Sequence, residues 1–231
     1  FAHRLKQAGS SHEAQLIVQA VYASELGMGT RDEQKLRRSI FLRRKLADAD
    51  TNPHRAIELL FRATHKMDDL PERVARKMKR EIYQKIMDRF PGHSRRSDAR
   101  YLYVETFIGA EGLPRAIEEV RAMEEAGEEH LGPELYAVAS GHVQAKEFAL
   151  AKTLCNEIIT RFPDGAATGA AYVALAHMHQ RDGDEERTVA AYRQAAMAKS
   201  FDTNYGVMDA SNTKNEAHEF LGEYYMKQED W

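Results

Sequence analysis

The chain has 231 residues, 43% of them hydrophobic and 30% charged, which supplies a sizeable core and is too apolar for a disordered chain. Its formal net charge of −3 conceals a division: residues 1–100 carry 22 Lys and Arg against 13 Asp and Glu, and residues 101–231 carry 11 against 23. A single cysteine, Cys155, excludes an internal disulfide framework and any multi-cysteine metal site. No run approaches the roughly 18 apolar residues that cross a bilayer.

Good helix formers dominate, broken by only 6 prolines and 14 glycines, so helices are predicted throughout. Ser11 caps a helix from His12 to Leu26 that Gly27 closes. Thr30-Arg31-Asp32-Glu33 reads as a capping box for a helix to Ala49. Asn52-Pro53 pairs an N-cap with a first-turn proline and opens a helix to Lys66. The next spans Pro71 to Arg89 and stops at Phe90-Pro91-Gly92. Shorter helices separated by polar turns follow at Arg96–Gly109, Pro114–Glu125, Pro133–Gln144, Phe148–Arg161, Gly169–Gln180, Glu185–Lys199 and Lys214–Met226.

A large-then-small residue pair recurs along this series. Tyr103-Val104, Val138-Ala139, Leu175-Ala176 and Leu221-Gly222 follow one another after 35, 37 and 46 residues. A small residue at the second place lets neighbouring helices approach closely, and Phe107, His142, His179 or Tyr225 stands three residues later. In the second helices Ala116 or Ala151 fills the close-contact place, followed by Val120 and Cys155, with Thr188 and Tyr192 in the third pair. This pattern resembles the tetratricopeptide repeat. The resemblance implies an all-α fold, an α-α superhelix: a solenoid of antiparallel helix pairs, each covering the next because a lone hairpin cannot bury its own apolar face. It is carried by units at 97–130, 132–165 and 169–202 and a partial one at 215–231, the acidic part. Residues 1–96, the basic part, are expected to hold degenerate hairpins, with 53–92 as one repeat because Arg89-Phe90-Pro91 echoes Arg161-Phe162-Pro163. One continuous solenoid is the expectation, with a long inter-repeat loop over Phe201–Thr213. The last unit stops at Trp231 before its second helix, so the natural chain is expected to continue.

In tetratricopeptide arrays the first helices line a concave groove that holds peptides. The resemblance places Tyr101, Glu105 and Ile108, then Tyr136, Ser140 and Val143, then Val173, His177 and Gln180 on that wall, with Glu219 and Glu223 beyond. Relatives that grip chaperone C-termini use Lys and Asn at the places occupied here by Tyr101/Glu105, Tyr136/Ser140 and Val173/His177, so no carboxylate clamp is expected. A second candidate surface is basic: Arg73, Arg76, Lys77 and Arg80 share one face of the helix from Pro71, and Lys35, Arg37, Arg38, Arg43, Arg44 and Lys45 load the helix that ends at Ala49. Such a stripe follows phosphates or meets acidic protein, and it is also what a solvated helix face looks like. His142 and His179 hold equivalent places, where packing is the expectation and a metal pair is not. No nucleophile elbow, phosphate loop or zinc-binding histidine motif occurs, and no cofactor is implied. The expected function is non-catalytic: a scaffold that binds a peptide segment or partner subunit. Two other readings stay open, an anion-binding adaptor contacting RNA, DNA or an acidic membrane surface, and a helical domain of a larger enzyme. The charge division also allows head-to-tail self-association.

Overall fold

A computed structural model describes residues 33–108, 112–199 and 210–228. The predicted helix His12–Leu26, most of the Thr30–Glu33 box, most of the 201–213 loop and Trp231 lie outside the described residues. Ten α-helices and no strand are found among those described: α1 Glu33–Ala49, α2 Pro53–His65, α3 Glu72–Arg89, α4 Arg96–Glu105, α5 Leu113–Glu125, α6 Gly132–Gln144, α7 Phe148–Arg161, α8 Thr168–Arg181, α9 Glu185–Met197 and α10 Ala210–Gln228. A 3₁₀ turn at Lys66–Asp69 joins α2 to α3. The fold is all-α, as the composition demands, and none of these helices is long and apolar enough to cross a membrane.

Local chemistry sets the helix ends. Asn52 accepts a hydrogen bond from the Arg55 amide at 3.2 Å, with Pro53 in the first turn whose missing N–H costs nothing there. Asp184 caps α9 in the same way through the Arg187 amide at 3.0 Å. Three helices finish on one residue in the left-handed region: Gly127 after α5, Lys146 after α6 and Gly183 after α8. In each, the next amide reaches back to close the last turn: Glu128 to the Met123 carbonyl, Glu147 to that of His142, Asp184 to that of His179. Glycine takes that conformation without a Cβ clash; Lys146 takes it at φ 62° with one.

The contacts divide the chain into two compact units, Phe1–Thr106 and Phe107–Trp231. In the first, α1 packs on α2 and α3 on α4, around a core that includes Leu36, Ile40, Leu60, Phe61, Ile82 and Ile86. The unit boundary therefore falls inside the 97–130 stretch that the sequence pattern reads as one repeat, because α4 packs on α3. In the second unit α6 packs on α7 and α8 on α9, and α10 packs on both α8 and α9. The first helices also touch one another, α6 with α8 and α8 with α10, as stacked hairpins require. Val138, Ala139, Ala176 and Leu175 are buried, so the large–small pair is a packing device here.

The echo between the units is physical as well as textual. Phe90 ends α3 at φ −129°, ψ 57° and Phe162 ends α7 at φ −129°, ψ 55°. Each precedes a proline, whose ring bars its predecessor from helical geometry. Each ring lies under the preceding arginine, Arg89 at 5.0 Å and Arg161 at 5.1 Å.

Candidate partner-binding cleft

Helices α4, α6 and α8 carry the nine residues the sequence pattern assigns to a groove or lie just before them, and the structure gives these residues different environments. Tyr101 is buried, and its hydroxyl donates to Glu105 Oε1 at 3.1 Å. Burial raises the Glu105 carboxyl above its ordinary value, against the Tyr101 hydrogen bond and the Lys79 charge, which lower it. Glu105 lines an open cleft of about 300 Å³ in the first unit, together with Asp68, Glu72, Arg76, Lys79 and Tyr83. In the second unit Ile108 and Leu113 crowd the bare backbone of Gly141, so Ile108 packs on α6. Tyr136, Ser140 and Val143 are half-buried on α6. Burial, then the neighbouring Cys155 and Glu216, pushes the Tyr136 hydroxyl up to about 12. Val173 is buried. Only His177 and Gln180 stand exposed.

Gln180 is the one of the nine that reaches the cleft of the second unit. This depression of about 260 Å³ is lined by Gln180, Gly183, Glu185, Thr188, Phe220, Glu223, Tyr224 and Lys227. It lies where α10 crosses the α8–α9 turn, and it unites Gln180 with Glu223 from the sequence-assigned wall. Its floor is aromatic: Phe220 stacks on Tyr192 with ring centres 4.2 Å apart, and Tyr224 continues the stack at 6.4 Å from Phe220. Glu216 anchors α10 at the other flank, with Oε1 2.5 Å from His177 Nε2 and 3.4 Å from the Tyr192 hydroxyl. His177 is thereby a tie between α8 and α10. The sequence pattern passed over Phe220 and Tyr224; their spacing of four residues, one helix face, was the available signal.

The basic stripe on α3 is divided. Arg73 and Lys77 are exposed, whereas Arg76 and Arg80 are half-buried. Arg80 donates to Thr106 Oγ1 at 3.0 Å and to the Thr106 carbonyl at 3.1 Å, and Arg76 reaches the same carbonyl at 3.4 Å. Thr106 is the C-cap of α4, so the two guanidinium groups sit at the negative end of that helix dipole. Half of the stripe thus closes a helix, and the four cations do not form one open surface.

The two matched histidines also have separate duties. His142 is buried with Nδ1 2.6 Å from Glu147 Oε2. His179 is half-buried, which lowers its pKa, as does the Lys152 charge. Cys155 is buried, and that burial pushes its thiol up to about 12, away from the reactive thiolate. The chain matches no family model and no curated protein sequence.

Proposed function

We propose that this chain is a non-catalytic protein-interaction module of tetratricopeptide type, a superhelical array that docks an extended peptide segment in the cleft between α8 and α10. The observation that carries this reading is the union of Gln180, Phe220, Glu223 and Tyr224 in one depression of about 260 Å³. Those residues come from two neighbouring first helices, the elements that line the groove in such arrays. Phe220 and Tyr224 offer ring faces, and Glu185 and Glu223 offer carboxylates beside them. That chemistry suits an arginine or lysine side chain, which stacks on an aromatic ring while a carboxylate takes its charge. Lys227 also lines the cleft, so the ligand's cation must sit toward Glu185 and Glu223 and away from it.

Fluorescence anisotropy with labelled peptides tests this. A peptide bearing Arg or Lys among apolar residues is expected to bind, and its Glu-substituted counterpart is not. Tyr224→Ala or Glu223→Lys is expected to weaken binding about tenfold, the scale of one desolvated cation–ring or cation–carboxylate contact. Equal binding of both peptides, or no effect of either substitution, would remove the cleft from the reading. The adaptor alternative, with nucleic acid or an anionic membrane as partner, retains only Arg73 and Lys77 from its α3 stripe.

A further inference from the structure

Two helices of this chain present outward faces that are opposites of each other. The outward face of α1 is centred on Phe41, which is 55% exposed. At 100° per residue, Arg37, Arg38, Arg44 and Lys45 surround it. Lys45 Nζ stands over the Phe41 ring, 5.7 Å from its centre, so the knob carries a cation on one face. The opposite side of α1 is the buried one, with Leu36, Ile40 and Ala47.

The outward face of α10 is centred on Gly222. A Cβ built there meets nothing within 4 Å. Gly222 occupies the place that Ala139 and Ala176 hold in the preceding pairs, where both are covered, Ala139 to 1% and Ala176 to 0% exposure. The close-approach residue is therefore kept, while nothing described approaches it. Glu219, Tyr225 and Met226 surround the notch, with Tyr225 41% and Met226 63% exposed. The buried side of α10, through Ala217, faces its own unit.

We infer that α10 of one molecule receives α1 of a second copy, so that the chain associates head to tail. Antiparallel packing with Phe41 over Gly222 fixes the neighbours. Lys45 lies four residues beyond Phe41 and Glu219 three before Gly222, so they meet on one flank within about 2 Å along the axis. On the other flank Arg37, paired in its own chain with Glu33, comes beside Tyr225, whose ring already carries Arg193 of its own chain at 5.6 Å, so this flank adds less than the Lys45–Glu219 pair. Knob meets notch, and cation meets carboxylate or ring. The same complementarity runs through the chain, whose residues 1–100 carry a cation excess and residues 101–231 an anion excess. The contact is heterologous, so each added copy leaves one free α1 face and one free α10 face until a ring closes. Glu219 and Gly222 do not line the α8–α10 cleft, so this inference stands or falls apart from the proposed peptide site.

Sedimentation across a concentration series at low and high salt tests it. The wild-type chain is expected to grow in mass with concentration, and to grow less at high salt. Gly222→Leu fills the notch and is expected to leave a monomer whose thermal midpoint is equal or higher, since leucine favours a helix over glycine. Lys45→Glu and Glu219→Lys are each expected to weaken association about tenfold. Mixed together, the two variants are expected to co-assemble more tightly than either alone, because each then meets an opposite charge. A wild-type chain that stays monomeric throughout the series overturns the inference. So does association that survives Gly222→Leu, or a mixture that assembles no better than its components.

Discussion

The two units are built from similar helices yet use their arginines differently. In the first unit guanidinium groups close helix ends as well as pairing with carboxylates, as Arg37 does with Glu33, Arg44 with Glu81 and Arg62 with Glu58. Arg89 donates to the Ala47 carbonyl at 2.8 Å and the Asp50 carbonyl at 3.2 Å, just past α1, and Arg96 donates to the Met87 carbonyl at 3.3 Å. Arg76 and Arg80 do the same at Thr106. Arg95 joins Glu58 and Asp98, each at 3.1 Å, while lying 3.9 Å over the Phe61 ring. In the second unit the described arginine bonds go to side chains, to carboxylates for Arg115, Arg121, Arg161 and Arg181 and to the Tyr225 hydroxyl for Arg193. Arg121 holds Glu157 through two bonds of 2.6 Å and Glu124 through one of 3.1 Å, and Arg161 binds the same two glutamates. That ring of alternating charge links α5 to α7 across one repeat spacing. Part of the first unit's cation excess is thus met by backbone carbonyls, which appear in no charge count.

Four substitutions test this contrast, in falling order of expected effect. Ile82→Ala and Ile158→Ala each empty a fully buried site, one per unit, and each is expected to cost about 3 kcal/mol. Amide exchange should speed up mainly in the unit carrying the change. Equal loss in both would erase the distinction between them. Arg89→Met is expected to cost about 2 kcal/mol, because charge-assisted bonds to several carbonyls are lost. Chemical denaturation should give that loss with little salt dependence, whereas Glu157→Gln should cost less than about 1 kcal/mol and become weaker still in high salt.

Acid separates the units further. Arg121 first, and Arg161 with it, hold the Glu157 carboxyl below its ordinary value. A lowered carboxylate adds stability above its unfolded pKa of about 4.3, and that stability disappears as pH falls through the folded value. Glu105 has the opposite sign, since burial raises it. Its contribution is present below the unfolded value and is lost as pH rises through the raised one. Glu105→Gln is therefore expected to raise the thermal midpoint of the first unit at neutral pH, and Glu157→Gln to flatten the acid loss of the second. The smallest effect concerns Lys146, at φ 62° in a place where Gly127 and Gly183 stand after two other helices. Lys146→Gly is expected to stabilise the second unit by about 0.5–1 kcal/mol, read from the urea midpoint.

Helices and their ends were legible because they depend on neighbours along the chain. Asn52-Pro53 starts α2 and Phe90-Pro91 follows α3 for reasons contained in a few residues. The candidate site was legible only in part. The resemblance put Tyr101 and Val173 on a wall, but burial took both into packing. It could not show that Phe220 and Tyr224 continue the ring stack of Tyr192, because stacking joins residues on different helices. The stripe of Arg73, Arg76, Lys77 and Arg80 likewise reads as one surface until α4 ends against it.

By itself, then, the sequence determined that the chain is helical, where most helices begin and end, and how its charge is divided. Each of these is set by local propensity, capping or composition. Only the tertiary structure decided which arginines close helices and which remain on the surface, and which first-helix residues line a cleft. It alone left Gly222 open where Ala139 and Ala176 are covered. The reason is that a side chain's acceptor, ring partner or covering helix comes from a distant part of the chain, brought near by burial of the core.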